Sequence, residues 1–213
     1  MDAQTTPVRS GAWTLPPRLS GEHVALEPLR REHGDGLRAA LAGGELAAAW
    51  YTNVPAPEGV DAYVDAALAM QERGTAWPFA VLDARGEVVG STRYYDLDAA
   101  VPRVQIGYTF YAPRVQRTGL NTQAKLLLLG HAFETLGCIA VGFETSWFNH
   151  ASRTAIARLG ARQDGVLRNH RRHADGSPRD TVAFSIIDTE WPAVKRNLQY
   201  KLDRHASGAA RHD

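Results

Sequence analysis

The stretch RVQRTGLNTQAKLLLLGHAFETLG, residues 114–137, decides what kind of fold this chain forms. It begins as a basic turn around Gly119 and continues with apolar residues at helical spacing, which predicts a helix from Thr122 to about Leu136. The first turn of a helix has N–H groups without intrahelical acceptors and a partial positive charge. Two interpretations of this turn follow: Asn121 or Thr122 caps the helix, or the N–H groups bind an anion.

The turn lacks the signatures of two common nucleotide-binding loops. It has no Gly-Lys-Ser/Thr sequence at the start of the helix, which a P-loop requires. It also lacks the spaced glycines of a dinucleotide-binding turn. If an anion binds here, it belongs to another class of ligand.

Patterns on both sides of this stretch predict a mixed α/β domain with a mainly antiparallel sheet flanked by helices. Alternating or apolar segments predict the strands HVALEPL, WPFAVLD, EVVGSTRYYD, RVQIGYTFY, CIAVGFETS, DGVLRNHRR and DTVAFSIID. Segments of helical period alternate with them, giving the order β-α-α-β-β-β-α-β-α-β-β-α. We expect one domain over residues 21–202, with a flexible arm at 1–20 and a flexible tail at 203–213.

Composition excludes several classes of function. The 213 residues suit one domain, and the formal net charge of +1 gives no reason to expect a nucleic-acid partner. Cys138 is the sole cysteine, so a multi-cysteine metal site is excluded and we expect no metal. No apolar run is long enough to span a membrane, and the start of the chain has no signal-peptide pattern. We expect a cytoplasmic monomer or homodimer.

Four collinear segments carry a family resemblance. The strand QIGYTFY, the loop and helix QRTGLNTQAKLLLLGHAF, the strand IAVGFETS and the phrase NHASRTAIARLGARQDGVLR resemble the GNAT superfamily of acyl-CoA-dependent N-acyltransferases, and most of all its Rim-type (ribosomal-protein-alanine acetyltransferase) branch. The resemblance covers roughly residues 23–191. It implies a GNAT-like fold with splayed central strands, acetyl-CoA or a related acyl-CoA as cofactor, and direct transfer to a primary amine of a peptide N-terminus or small molecule.

The resemblance also implies which residues bind the cofactor. The family loop Gln/Arg-x-x-Gly-x-Gly/Ala matches Gln116 and Gly119, while Asn121 replaces its last small residue. The pyrophosphate is then expected on the loop N–H groups and the pantetheine arm on the backbone of the preceding strand. The implied cofactor residues are Thr109, Phe110, Gln116, Arg117, Thr118, Gly119, Leu120, Asn121, Thr122, Asn149 and Ser152.

The same resemblance suggests the catalytic groups. Asn149 is implied to bind pantetheine, or it is only a helix cap; Ser152 is implied to protonate the departing thiolate, or it is only a solvated hydroxyl. Relatives often carry a glutamate where this chain has Gln105, which can orient a water but cannot accept a proton. His170, on the strand after the "LGA" turn, is the candidate base, although an exposed histidine fits equally well.

Three aromatic residues, Trp77, Tyr94 and Tyr95, are candidates for an acceptor groove, with a core position as the alternative. A basic cluster in the last hairpin is interpreted as a solvated face, with an acidic acceptor or the 3′-phosphate of CoA as alternatives; it consists of Arg168, Arg171, Arg172 and His173. Arg179 and Asp180 are predicted to form an ion pair. A non-catalytic acyl-CoA sensor or scaffold is the alternative to an enzyme.

Overall fold

The computed structural model describes residues 11–43 and 46–207. In this part of the chain, eight strands form one sheet in the order β1-β2-β3-β4-β5-β6-β8-β7. The strands are β1 Leu19–Ser20, β2 Val24–Pro28, β3 Ala76–Asp83, β4 Val88–Asp98, β5 Arg103–Tyr111, β6 Ala140–Ser146, β7 Arg162–Arg172 and β8 Pro178–Ile187. The α-helices are α1 Gly34–Leu41, α2 Val60–Glu72, α3 Gly119–Gly130, α4 His150–Leu159 and α5 Trp191–Ala206.

The predicted mixed α/β class with a mainly antiparallel sheet is confirmed. Neighbouring strands of the described sheet run antiparallel except β5 and β6, which are parallel. Helices α1 and α2 cover one face, where Leu37, Val60 and Val64 pack against Ala80 and Phe110. The other face carries α3, α4 and α5 over a larger core. A buried apolar layer therefore packs against each face of the sheet, so the strands at its centre are covered on both sides.

The central strands β5 and β6 splay apart, as expected. They pair only through three registers, which join Arg103, Val104 and Gln105 to residues 140–142 of β6. Beyond Gln105, β5 continues to Tyr111 paired with β4. A bulge in β5, where Tyr108 has φ of 52°, shifts the pairing with β4 and bends the strand. The sheet therefore opens a wedge between two strands at its middle.

Gly90 on β4 allows strands β4 and β5 to approach each other closely, beside the open end of this wedge. A Cβ at Gly90 would overlap the carbonyl oxygen of Phe110 on β5. No side chain larger than hydrogen fits there without moving the β5 backbone, so this glycine fixes the position of the cavity wall.

Helix α3 starts earlier than predicted. It begins at Gly119, and Thr118 caps it by accepting a hydrogen bond from the backbone N–H of Leu120. The prediction placed the start at Thr122 because Gly119 was assigned to the turn. At its other end the helix widens into a π-helical turn, His131–Thr135, which brings the chain to the predicted end near Leu136.

Both ends of the described chain are more structured than the predicted arm and tail. Leu19–Ser20 pairs with β2, and the indole N–H of Trp13 donates to the carbonyl of Leu136. Helix α5 continues to Ala206, past the predicted boundary at residue 202. Its charged face had been assigned to a solvated tail, but the helix keeps its period there. The remaining residues of the predicted arm and tail, 1–10 and 208–213, lie outside the described residues.

Candidate active site

The wedge between β5 and β6 forms a cavity of about 350 Å³. One wall is the bulged part of β5, residues 106–111, and the other is residues 143–146 of β6. Helix α3 contributes Asn121 and Lys125, and the first turns of α4 contribute Asn149 and Ser152. The cavity therefore runs from the start of α3, which we call the donor end, to the outer strands β8 and β7, which we call the acceptor end.

Polar groups without partners lie at the donor end. The side-chain oxygen of Asn121 and the hydroxyl of Tyr111 are buried and have no hydrogen-bond partner among the described residues. Gln116 donates from Nε2 to the carbonyl of Tyr111 at 3.0 Å and so ties the loop to β5. Buried polar groups are normally satisfied, so these two point to a ligand in the cavity.

The turn before α3 faces two directions. Gln116 and Asn121 line the cavity, as do the predicted cofactor residues Thr109 and Phe110 on β5. The residues between Gln116 and Asn121 instead line a second cavity of about 540 Å³, beside His23 and His205; they are Arg117, Thr118, Gly119 and Leu120. Thr122 is half-buried on α3 and lines neither of these two cavities.

Gly119 does not face the wedge. A side chain there would point toward His23, Leu202 and His205 at distances of 3.5 to 3.9 Å, which are ordinary contacts. We therefore do not expect a substitution of Gly119 to stand directly between the backbone and a ligand in the wedge. Arg117, with φ of 58°, makes the left-handed turn that redirects the chain into α3.

Lys125 is a functional candidate that the sequence analysis missed. It lies one turn after Asn121 on the same face of α3 and is only 6% exposed. Its ammonium donates to the hydroxyl of Thr109 at 3.1 Å, and Thr109 in turn lies 2.8 Å from the hydroxyl of Thr92. Burial lowers the pKa of Lys125 to about 7. A lysine at this spacing inside an apolar helix face was the available signal.

The helix-cap interpretation of Asn149 is confirmed, while its contact with pantetheine stays a prediction. Its side-chain oxygen accepts the backbone N–H of Ser152 at 3.0 Å, so it caps α4, and the residue also lines the cavity. Ser152 is half-buried on the first turn of α4 and lines the same cavity. The cap therefore holds Ser152 facing the wedge between the two splayed strands.

A carboxylate lies at the acceptor end. Glu144 of β6 lines the cavity, and its side chain is 13% exposed. Arg171 of β7 donates to Glu144 Oε2 at 2.8 Å. Burial, together with this carboxylate, raises the pKa of Tyr95, which lines the cavity beside it. The sequence analysis did not single out Glu144, which lies inside the predicted strand CIAVGFETS.

Arg179 lines the same end and is only 9% exposed. Its Nε has no hydrogen-bond partner among the described residues. The predicted ion pair of Arg179 with Asp180 is wrong: Asp180 pairs with Arg168 at 2.6 Å. Adjacent strand residues point to opposite faces, so Arg179 faces the cavity while Asp180 faces away.

His170, the candidate base, and Gln105, the residue expected to orient a water, lie outside the cavity. His170 is exposed, and its neighbour Arg171 lines the cavity, because successive residues of β7 face opposite sides. Gln105 lies where β5 and β6 still pair, and its side chain packs against Gly142. Its oxygen is buried without a partner, but it does not line the wedge.

Of the three aromatic candidates, only Tyr95 reaches the cavity. Trp77 and Tyr94 are 3% and 0% exposed and pack in the main core, with ring centroids 6.3 Å apart. The core alternative therefore holds for both. Tyr95, next along β4, points to the opposite face and lies edge-on to Tyr108 with ring centroids 5.3 Å apart.

The described residues contain neither a metal-binding cluster nor a membrane-spanning helix. Within residues 11–43 and 46–207, no group of three or more His, Cys, Asp or Glu side chains is arranged to hold a metal ion. No helix in the same ranges combines the length and the apolar character needed to cross a membrane.

Comparison with known proteins gives one consistent result. The family described as "Acetyltransferase (GNAT) domain" matches residues 23–162. The uncharacterized N-acetyltransferase YoaA of Bacillus subtilis is 29% identical over 122 residues, which are 57% of this chain and 67% of that protein. The crystal structure of a GCN5-related N-acetyltransferase from Brucella melitensis has a TM-score of 0.79 and 32% identity, covering 87% of this chain and 85% of that one.

A Rim-type protein shares the fold. The structure of Mycobacterium smegmatis RimJ in complex with CoA-disulfide has a TM-score of 0.70 at 20% identity, covering 89% of this chain and 96% of that one. The family match covers residues 23–162. The splayed strands β5 and β6 and the loop before α3 lie within this range and support the same family. The chain is an acetyltransferase enzyme and belongs to the GNAT acetyltransferase family.

Proposed function

We propose that this enzyme is an acetyl-CoA-dependent N-acetyltransferase that moves the acetyl group directly to a primary amine in a ternary complex. One observation carries the proposal. The wedge between β5 and β6 joins unpartnered polar groups at the start of α3 to a partly buried carboxylate, Glu144, at its other end. Such a cavity suits an elongated donor that enters from one side and an amine that enters from the other.

The residues at the donor end fit CoA. Asn121 and Tyr111 offer buried polar atoms without partners, and β5 beyond Gln105 has backbone groups on the β6 side that the wedge leaves open to a ligand. The backbone N–H groups of the first turn of α3, with the amide nitrogen of Asn121 beside them, would donate to the phosphates. The backbone near Thr109 and Phe110, with Asn149 opposite, would hold pantetheine. When bound, acetyl-CoA supplies an acetyl thioester.

Glu144 is our candidate base in place of His170. Its Oε2 accepts the hydrogen bond from Arg171, which leaves Oε1 to accept a proton from the acceptor ammonium or amine. The ion pair with Arg171 orients the carboxylate toward the cavity. The hydroxyl of Ser152, presented by the α4 cap, would give a proton to the sulfur of the departing thiolate.

Cys138 supports direct transfer over a covalent enzyme intermediate. It is 2% exposed in the main core, and burial raises the pKa of its thiol to about 12. A thiol that stays protonated and shielded is a poor nucleophile. The amine itself therefore attacks the thioester in our proposal.

An assay with purified protein tests this function. Acetyl-CoA and a panel of primary amines should give free CoA thiol and a product heavier by one acetyl group, measured by a thiol reagent and by mass spectrometry. CoA alone should stabilise the fold, by about 2.7 kcal/mol at 100 times its dissociation constant. CoA binding without acetylation of any amine would instead support a sensor or scaffold.

A further inference from the structure

We propose that the acceptor is a small primary amine that also carries an oxyanion, a carboxylate or a phosphate, and that Arg179 binds this group while the amine faces Glu144. The inference rests on the proposed N-acetyltransferase function and specifies its substrate class. Its basis is a buried arginine that lines the acceptor end and forms no ion pair with any carboxylate in residues 11–43 and 46–207.

Strand register places Arg179 on the same face as the candidate base. Arg171 lies directly opposite Arg179 across β7 and β8, and Glu144 lies opposite Ala183 across β6 and β8. Residues 179 and 183 are an even number apart on one strand, so their side chains share a face. Arg171 reaches over this face to Glu144. An acceptor bound beside Arg179 therefore lies next to the carboxylate.

The charges of this end favour an anionic acceptor. The charged side chains that line it are Arg171, Arg179 and Glu144, two cations and one carboxylate, with a net charge of +1. The ion pairs nearby join Arg168 to Asp180 and Arg171 to Glu144, and neither includes Arg179. A second buried arginine, Arg93, lies behind the wall with its guanidinium 4.0 Å from the centroid of the Tyr108 ring.

This excess charge opposes a simple cationic substrate. A protonated amine alone would enter a site that is already positive, while an amine with an oxyanion brings the charge that Arg179 lacks. The planar guanidinium suits carboxylate and phosphate because it donates in a fork. The phosphates of CoA are not this anion in our proposal, since the cofactor enters from the start of α3 at the donor end.

The acceptor end also has a covered side, which favours a small molecule. Residues 51–54 line the cavity there. They follow Trp50, whose ring lies 5.2 Å from that of Phe148 and 4.7 Å from that of His173. These contacts hold the segment across the splayed strands, beside the hairpin that carries Arg179.

Matched acceptors test the inference on the unaltered enzyme. We would compare β-alanine with β-alaninamide, and O-phosphoethanolamine with ethanolamine, using kcat/KM at saturating acetyl-CoA. We expect the member with the oxyanion to be preferred about 10- to 100-fold in at least one pair, the size of a charge-assisted hydrogen-bonded contact. β-Alaninamide is the less basic amine, so basicity does not explain a preference for β-alanine. The favoured pair distinguishes carboxylate from phosphate.

Variants locate the effect. Arg179→Gln should raise KM for the oxyanion acceptor about 10- to 100-fold and leave KM for acetyl-CoA and for the neutral acceptor nearly unchanged. Arg172→Gln is the matched control, because Arg172 is an exposed arginine of the same hairpin that bonds the carbonyl of Gly176. Equal losses for charged and neutral acceptors would overturn the inference.

Two further outcomes are informative. Circular dichroism checks that Arg179→Gln folds; if it does not, the wild-type comparison alone decides, because equal kcat/KM for both members of every pair overturns the inference. Acetylation of neutral amines without any gain from an oxyanion leaves the proposed function standing and removes this one. No acetylation of any amine removes both.

Discussion

The two ends of the cavity each contain a buried cation that forms no ion pair with a carboxylate of the described residues, and the two cations differ in one respect. Lys125 at the donor end bonds a threonine hydroxyl, and burial lowers its pKa to about 7. Burial and the nearby Arg171 also lower the pKa of Arg179 at the acceptor end, yet a guanidinium remains charged at any physiological pH. The lysine can release its charge when the cavity is empty, whereas the arginine cannot.

This difference assigns separate tasks to the ends. A charge that can be lost lowers the cost of an empty site, which suits a donor that enters and leaves in each cycle. In our proposal, the permanent charge of Arg179 beside Glu144 selects among acceptors by binding the oxyanion of the acceptor. The predictions below test each end in turn, beginning with the largest expected effect.

Removing the carboxylate at the acceptor end should have the largest effect. Glu144→Gln keeps the size of the side chain but removes the proton acceptor, so we expect kcat/KM to fall about 10²- to 10⁴-fold. The affinity for CoA, measured by calorimetry, should stay the same because Glu144 lies away from the donor end. Steady-state assays at several pH values measure the loss.

Arg171→Met serves as the control for this variant. It breaks the same ion pair but leaves the Glu144 carboxylate in place. We expect a smaller loss than for Glu144→Gln, since the carboxylate then loses its orientation but not its chemistry. If both variants lost equal activity, the ion pair and not the base would be the important feature.

The fold was predictable because its signals are local. Strand β3 is a continuous apolar run whose first six residues are buried, and α3 has a long apolar face that determines its class. Errors lie where local signals stop: α3 begins at Gly119 because the Thr118 hydroxyl caps it, and α5 continues past residue 202 along a charged face. Leu19–Ser20 is too short a strand to show a period.

The site was only half predictable, for a physical reason that follows the same two ends. The donor end depends on two short segments that carry the family resemblance, so Gln116, Asn121, Asn149 and Ser152 were named from the sequence, and all four line the cavity. The acceptor end is assembled by β4, β6, β7 and β8, and whether a residue faces the cavity depends on strand register. Tyr94 and Tyr95, like His170 and Arg171, differ by one position and face opposite sides.

At the donor end, the acid is the next test. Ser152→Ala should lower kcat about 10-fold with little change in CoA affinity, because a thiolate is a good leaving group that needs only modest help from an acid. The cap by Asn149 uses the backbone N–H of Ser152 and survives this change. An unchanged kcat would restrict Ser152 to positioning. The thiol-release assay provides the measurement, and Thr154→Ala on the exposed part of α4 is its control.

The burial of Lys125 leads to a prediction about the free energy of unfolding that can be tested without substrate. Its folded-state pKa of about 7 lies below its ordinary value of 10.5, so between these pH values the unfolded chain holds a proton that the folded chain releases. The free energy of unfolding should therefore rise with pH across this window, by up to about 1.4 kcal/mol per pH unit, while below pH 7 the full penalty remains.

Urea unfolding from pH 6.5 to 9.5 measures this slope. Lys125→Met should remove the Lys125 contribution and make the free protein more stable, most of all near the acid end of the range. Lys195→Met is the control, since Lys195 forms an exposed ion pair with Glu134. A Lys125→Met slope equal to that of the wild type would show that the buried ammonium keeps its ordinary pKa.

The smallest effect is expected at His170, and it separates the two candidate bases. His170 is exposed on the face of β7 that points away from the cavity, while Arg171 faces Glu144. His170→Ala should therefore leave kcat/KM within about twofold and leave the pH profile unchanged, because an exposed side chain outside the site holds no catalytic proton. A hundredfold loss, with the disappearance of one limb of the pH profile, would restore His170 as the base. The pH profile of kcat/KM should instead change in Glu144→Gln. Measuring the profiles of both variants with two amines of different basicity decides whether the pH dependence comes from a base of the protein or from the pKa of the acceptor amine.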